Sequence, residues 1–201
     1  MLLAVEDPLS EAVARRVLGA VFVHSSIALC LGLKGKGYLK KKAENLNKAA
    51  KGSPVFLLAD QDSPKSCPAD LIRSWLRSPR HPNLFFRVAV MEVESWVMAD
   101  RESFANFLSI PRERIPSDTD AILQPKEFLV SLARRSKSRR LREDLIPAPG
   151  ATSIVGPAYN PQLTFYVKQL WNPEAAATVS GSLRRAIQRL GELSAVTIHP
   201  A

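Results

Sequence analysis

The chain has 201 residues, 46% hydrophobic and 23% charged, which suits one apolar core with a small appended subdomain and excludes general disorder. A formal net charge of +9 points to anionic partners, of which nucleic acid is the commonest. Two distant cysteines, Cys30 and Cys67, and three histidines without metal-ligand spacing, His24, His81 and His199, argue against a zinc site and suit a reducing, cytoplasmic setting, and no apolar run approaches membrane-spanning length.

Leu2 to Val5 reads as a short strand that delivers Glu6 and Asp7 to its carboxyl end before Pro8 breaks it. Ser10 is placed to cap a helix from Glu11 to Val21, with Ala12, Val13, Val17 and Ala20 on its apolar face. Ser26 to Leu31 is a second apolar strand, on which Cys30 is a packing residue. Gly32-Leu33-Lys34-Gly35-Lys36-Gly37 follows as a flexible basic turn, and a lysine-rich helix runs from about Tyr38 to Lys51. Glycines, lysines and a helix amino end together suit a phosphate, which makes Lys34 and Lys36 candidate nucleic-acid contacts, although a solvated lysine face reads equally well. The turn is not a P-loop, because Tyr38 and Leu39 stand where that motif needs Lys and then Ser or Thr.

Val55 to Asp62 is the stretch around which the chain is organised. Its unbroken apolar run predicts a strand buried on both faces, ending in Asp60 and Asp62. Alternate residues of an extended chain point the same way, so both carboxylates can aim at one spot and favour a hard divalent cation. A loop with Pro64 and Pro68 leads to a helix from about Ala69 to Arg77, packed through Leu71, Ile72, Trp75 and Leu76. A turn at Arg80 to Asn83 opens the fourth strand, Leu84 to Val90. Glu92 and Glu94 then begin a helical stretch closed by Asp100, and another helix spans Arg101 to Leu108. Four strands alternating with helices predict an α/β fold with a doubly wound parallel sheet, in which ligands bind outside the carboxyl ends of the strands. Glu6, Asp60, Asp62 and Glu92 or Glu94 all fall at that edge, which is the pattern of a metal site.

Beyond Leu108 the composition shifts, so the chain divides into an α/β domain, 1–108, and a helical extension, 109–201, packed on it. Ile110 to Gln124 reads as a linker and Lys126 to Leu145 as one long helix, whose Arg134, Arg135, Lys137, Arg139 and Arg140 are candidate phosphate contacts. Pro147 to Pro161 is a Pro/Gly loop. The remaining chain is helical, with Leu163, Val167 and Leu170 on one face and Leu183, Ile187 and Leu190 on another.

Val5-Glu6 after the first strand and Asp60-Gln61-Asp62 after a later one resemble the TOPRIM domain of topoisomerases, DnaG-type primases and OLD-family nucleases. Glu94-Ser95-Trp96-Val97-Met98-Ala99-Asp100 resembles the Glu-x-Trp-Leu-Leu-Ala-Asp signature of a bacterial TOPRIM-like group known as domain of unknown function number 4276. Pro125-Lys126 and Tyr166-Val167-Lys168 are similar to segments of the same group, so the resemblance spans most of the chain. It implies a TOPRIM-like sheet, Mg2+ or Mn2+ as cofactor, Glu6 as general base or metal ligand, Asp60 and Asp62 as the metal-binding pair, and Glu94 as a further acidic site residue. Lys126 is implied to stabilise charge on a phosphate. Two departures stand out: Asp7 occupies the place of a glycine that allows close backbone approach, and Ser10 that of an acidic residue, with Glu11 one place later. Relatives in this group are often encoded beside AAA-type ATPases in phage-defence loci, which implies an ATPase partner.

The expectation is a metal-dependent nuclease acting on DNA or RNA without a covalent intermediate. Its alternatives are a non-catalytic nucleic-acid-binding or regulatory subunit and a small-molecule phosphatase or nucleotidyl hydrolase. A topoisomerase fits poorly, since the chain is short and lacks a companion domain to supply a tyrosine nucleophile; its only tyrosines are Tyr38, Tyr159 and Tyr166.

Overall fold

A computed structural model describes residues 1–22, 27 and 29–197. His24, His199 and the predicted start of the second strand at Ser26 lie outside the described residues. Among the described residues four strands, β1 (Leu2–Val5), β2 (Leu29–Gly32), β3 (Val55–Asp60) and β4 (Leu84–Ala89), form one parallel sheet in the order β2-β1-β3-β4. The protein is therefore α/β, and the apolar runs found their partners in register: Leu3 lies opposite both Cys30 and Phe56, and Phe56 opposite Phe85.

Parallel strands need crossovers, and the helices supply them on both faces. Leu3, Val5, Phe56, Leu58, Phe85 and Ala89 point to one side, while Ala4, Val55, Leu57, Ala59, Leu84, Phe86 and Val88 point to the other. The second side is closed by α2 (Lys36–Ala49), through Leu39, Ala43 and Leu46, and by α3 (Pro68–Trp75), through Leu71 and Trp75. The first side is closed by α1 (Pro8–Val21) and by helices from the rest of the chain: α4 (Val93–Ala99), α5 (Arg101–Leu108), α6 (Pro125–Ala133), α7 (Arg139–Leu145), α8 (Tyr159–Gln169), α9 (Pro173–Val179) and α10 (Gly181–Thr197). Residues on both sides of Leu108 share this core, with Trp96, Trp171 and Tyr166 among its largest fully buried side chains. Among the described residues no helix is long and apolar enough to cross a membrane.

Three local expectations need correction. The first helix starts at Pro8, with Asp7 as its cap accepting from the Ser10 amide at 2.8 Å, and Ser10 itself is buried inside the helix. Proline suits the first helical position because its missing N–H would have no intrahelical partner, and Asp is among the best caps. The predicted helix from Lys126 to Leu145 is two helices. Its break at 134–138 contains Ser136 and Ser138, which bond locally to the backbone: Ser138 Oγ accepts from the Leu141 amide and so restarts α7. Finally, α8 begins at Tyr159, two residues before the expected end of the loop, and ends at Gln169, which leaves Leu170 exposed while Leu163 and Val167 are buried.

Candidate active site

The sheet order reverses between β1 and β3, because the chain leaves β1 for β2 on one side and returns to β3 on the other. Carboxyl ends at such a switch point open a crevice. Glu6, the first residue after β1, bridges it: its Oε1 accepts from the Asp60 amide at 3.0 Å. Burial raises the Glu6 pKa against that hydrogen bond, and Asp62 adds to the rise.

The glycine turn wraps this edge. Gly32 has φ +110°, and a Cβ there would lie 2.0 Å from Val5 O, so only glycine fits. The Leu33 and Gly35 amides donate to Val5 O and Glu6 O at 3.1 and 3.0 Å, which ties the turn to the end of β1. Lys36 is thereby placed over the end of β3. Its Nζ donates to Asp60 O at 2.6 Å, Gln61 O at 3.2 Å and Asp62 Oδ2 at 2.7 Å. Lys36 is a strap across the strand end and not the open phosphate contact read from the sequence. Lys34 is exposed, with its ammonium 5.4 Å from the centre of the Tyr38 ring.

Asp60 is 5% exposed, and its Oδ1 accepts at 2.9 Å from the amide of Val93, the first residue of α4. A helix amino end favours a carboxylate. Even so, burial, Glu94 and Glu6 together push the Asp60 carboxyl well above its ordinary range. Asp62 is arranged differently. The strand stops at Asp60, Asp62 has φ +59°, its amide donates to Met91 O at 2.8 Å, and its half-exposed carboxylate meets Lys36. The pair is thus not displayed by strand alternation, although Asp62 remains one of the charges acting on both Asp60 and Glu6.

On the other side of Asp60, α4 and α6 bring Glu92, Glu94 and Lys126 together. The Lys126 amide donates to Glu92 Oε2 at 2.9 Å and its Nζ to Glu92 Oε1 at 3.0 Å, while Nζ lies 3.7 Å from Glu94 Oε1. Burial pulls the Lys126 pKa down, but Glu94, Glu92 and Asp60 more than reverse it, so the ammonium stays charged. Glu94 is 1% exposed, and burial outweighs Lys126 to push its pKa up to about 7. Its Oε1 accepts from the hydroxyl of buried Tyr159 at 3.2 Å, and its Oε2 is buried with no hydrogen-bond partner among the described residues. Tyr159 thus joins the site as a residue that sequence reasoning considered only as an unsuitable nucleophile. An open pocket of about 150 Å³, lined in part by Asp62, Glu92, Gln124 and Lys126, lies beside this group.

The carboxylates crowd one edge, yet among the described residues no three Asp, Glu, His or Cys side chains converge closely enough to hold a metal ion. Lys36 and Lys126 lie among them. Of the basic residues beyond, Arg134, Arg135 and Lys137 are exposed around the break between α6 and α7, whereas Arg139 and Arg140 pair on their own helix with Glu143 at 2.7 Å and Asp144 at 3.7 Å. Pairs of this exposed kind contribute little to stability, but they offset local positive charge. Comparison of the chain with known protein families, with curated proteins and with solved structures finds no match.

Proposed function

We propose that the carboxyl edge of the sheet is the active site of a Mg2+- or Mn2+-dependent nuclease of TOPRIM type, acting on DNA or RNA phosphodiesters in the cytoplasm. One observation carries this reading: buried Asp60 and Glu94 stand with Glu6 at the carboxyl edge of the sheet, each with a raised pKa, and Glu94 Oε2 has no hydrogen-bond partner among the described residues. Hard carboxylate oxygens crowded in this way suit a divalent cation in donor chemistry, and compensation by charge would relieve their mutual repulsion. As they stand, Glu6, Asp60 and Glu94 do not converge closely enough to hold an ion, so binding one would require these three carboxylates to draw together, with Asp62 adding negative charge at the rim. A bound ion would supply an activated water and neutralise charge on the scissile phosphate.

The chain's own groups do the rest. Lys126, charged, held by Glu92 and lining the pocket, would orient a phosphate oxygen. Tyr159 fixes the Glu94 carboxyl through Oε1, leaving Oε2 unengaged. Lys34, Arg134, Arg135 and Lys137 supply positive charge for the nucleic-acid backbone. The family resemblance adds an AAA-type ATPase partner and a role in phage defence to the same proposal.

A non-catalytic nucleic-acid-binding or regulatory subunit is the second reading. It is favoured by the two lysines already seated among the carboxylates and by the absence, among the described residues, of three converging ligands. Thermal unfolding with Mn2+ or Mg2+ separates the two. A site that binds the ion raises Tm by roughly 5–10 °C at a metal concentration a hundredfold above Kd. Asp60→Asn abolishes the gain. An unchanged wild-type Tm over the whole titration would favour the binding subunit.

A further inference from the structure

We infer that the pocket beside Lys126 is a base subsite, which takes one unpaired nucleobase, guanine best, and so makes single-stranded nucleic acid the substrate. The subsite rests on the nuclease reading of the same edge for the phosphate at Lys126, and its binding of a base can be measured without any cleavage.

Two loops supply apolar walls. Leu123 is 63% exposed and Ile154 54%, yet both line this one pocket of about 150 Å³. Each is held by a neighbour packed on the core, Ile122 before Leu123 and Val155 after Ile154. The second loop is also tied down at Gly156, whose amide donates to Leu145 O at 3.0 Å and where a Cβ would lie 2.4 Å from Asp144 O. A single exposed aliphatic side chain is ordinary, but two fixed against the same pocket form a surface that a flat ring can cover. Clefts for drug-sized ligands run to about 300–1,000 Å³. This pocket is smaller, so it takes one group and leaves the rest of its ligand outside. With a phosphate at Lys126, which also lines the pocket, that group is an adjoining base.

The polar part of the lining selects among bases. Of its carboxylates, Asp62 is paired with Lys36 and Glu92 with Lys126. Glu127 and Gln124 are exposed, and neither side chain forms a hydrogen bond or ion pair with another described residue. A carboxylate only accepts, through two oxygens side by side, whereas an amide can also donate. Guanine is the base with two adjacent donors, N1–H and the 2-amino group, next to an acceptor, O6. Thymine and uracil offer one donor between two acceptors, and cytosine and adenine one amino group beside acceptors. Glu127 therefore matches the guanine donors, and the Gln124 amide matches O6. In a duplex that edge is already paired with cytosine, so the base must be unpaired to be read.

The test uses the full chain in EDTA and follows, by fluorescence anisotropy, labelled thymine strands carrying one guanine, one deoxyinosine or neither. Deoxyinosine keeps N1–H and O6 and lacks only the 2-amino group. Wild type is expected to bind the guanine strand about tenfold more tightly than the other two, and annealing each strand to its complement to erase the difference. Glu127→Gln is expected to bring the guanine strand to the level of deoxyinosine. The double variant Leu123→Ser, Ile154→Ser is expected to weaken the guanine strand about tenfold. Equal wild-type affinity for all three strands, or binding of none, would overturn the subsite, and that comparison needs no variant. So would a guanine preference that survives annealing, or one that Glu127→Gln leaves whole. Cleavage of the same strands with Mn2+ or Mg2+ separates the subsite from the activity. Guanine-selective binding without cleavage keeps the subsite and rejects the nuclease, whereas cleavage without guanine-selective binding rejects the subsite alone.

Discussion

In metal-free buffer at pH 8, Glu94→Gln is expected to stabilise the protein by about 3 kcal/mol, an unusual sign for loss of a charged partner of a lysine. Glu94 titrates in the folded chain at about 7 against an ordinary value of 4.5, chiefly because it is buried. A carboxyl whose folded pKa is raised binds more protons in the folded state, so stability falls as pH rises. The loss begins near the unfolded pKa and is complete once pH exceeds the folded one. The Glu94 contribution to wild-type stability therefore declines between about pH 4.5 and pH 7 and is constant above. Asp60 shifts in the same direction and partly because of Glu94, so the gain in the variant includes the relief of Asp60. Lys126 keeps Glu92 as a partner in the variant. Urea unfolding at pH 5 and pH 8 with EDTA measures the effect. A variant less stable than wild type at pH 8 would show that the carboxylate is a net stabilising partner of Lys126 and Tyr159, and that its crowding is already compensated.

Trp96→Ala is expected to cost about 3–5 kcal/mol, the largest loss for a single side chain in this fold. Trp96 is fully buried two residues beyond Glu94, on the helix whose amino end receives Asp60. Its Nε1 donates to Ser182 Oγ at 2.6 Å, and its carbonyl accepts from Trp171 Nε1 at 3.2 Å. One residue thus locks α4 against the segment before α9 and the start of α10. Alanine there leaves a cavity and an unmatched indole donor from Trp171 if the backbone shifts. Denaturant unfolding should show a lower midpoint, and a loss under about 1 kcal/mol would mean that α4 is held by other contacts.

The sheet was legible because its strands are buried on both faces and so appear as unbroken apolar runs, of which Val55 to Asp60 is the clearest. Arg101–Leu108 matched its predicted bounds, since Asp100 and Ile110 mark a change of pattern at either side. Glu6, Asp60 and Glu94 could be placed on one edge because each follows or ends a strand, and parallel strands present those ends together. What depended on a side chain's reach was not legible. Lys36 reads as a candidate phosphate contact or a solvated lysine until the close approach of Gly32 to Val5 fixes where α2 begins. The αL backbone of Asp62 and Met91 follows from their mutual hydrogen bond, which local spacing does not encode. Tyr159 lies 65 residues from Glu94 and meets it only because α8 packs on the same face as α4. The break in the basic helix had a signal in Ser136 and Ser138, outweighed in the reading by the run of helix-favouring arginines.

The most direct test of the proposed activity is cleavage of labelled single- and double-stranded DNA, RNA and tRNA with Mg2+, Mn2+ or EDTA, by wild type and Asp60→Ala. The account predicts cleavage of at least one of these substrates by wild type with metal, none with EDTA, and a loss of at least about a thousandfold in the variant. Wild type that cleaves nothing under any condition while binding the same nucleic acids as tightly as Asp60→Ala would contradict it.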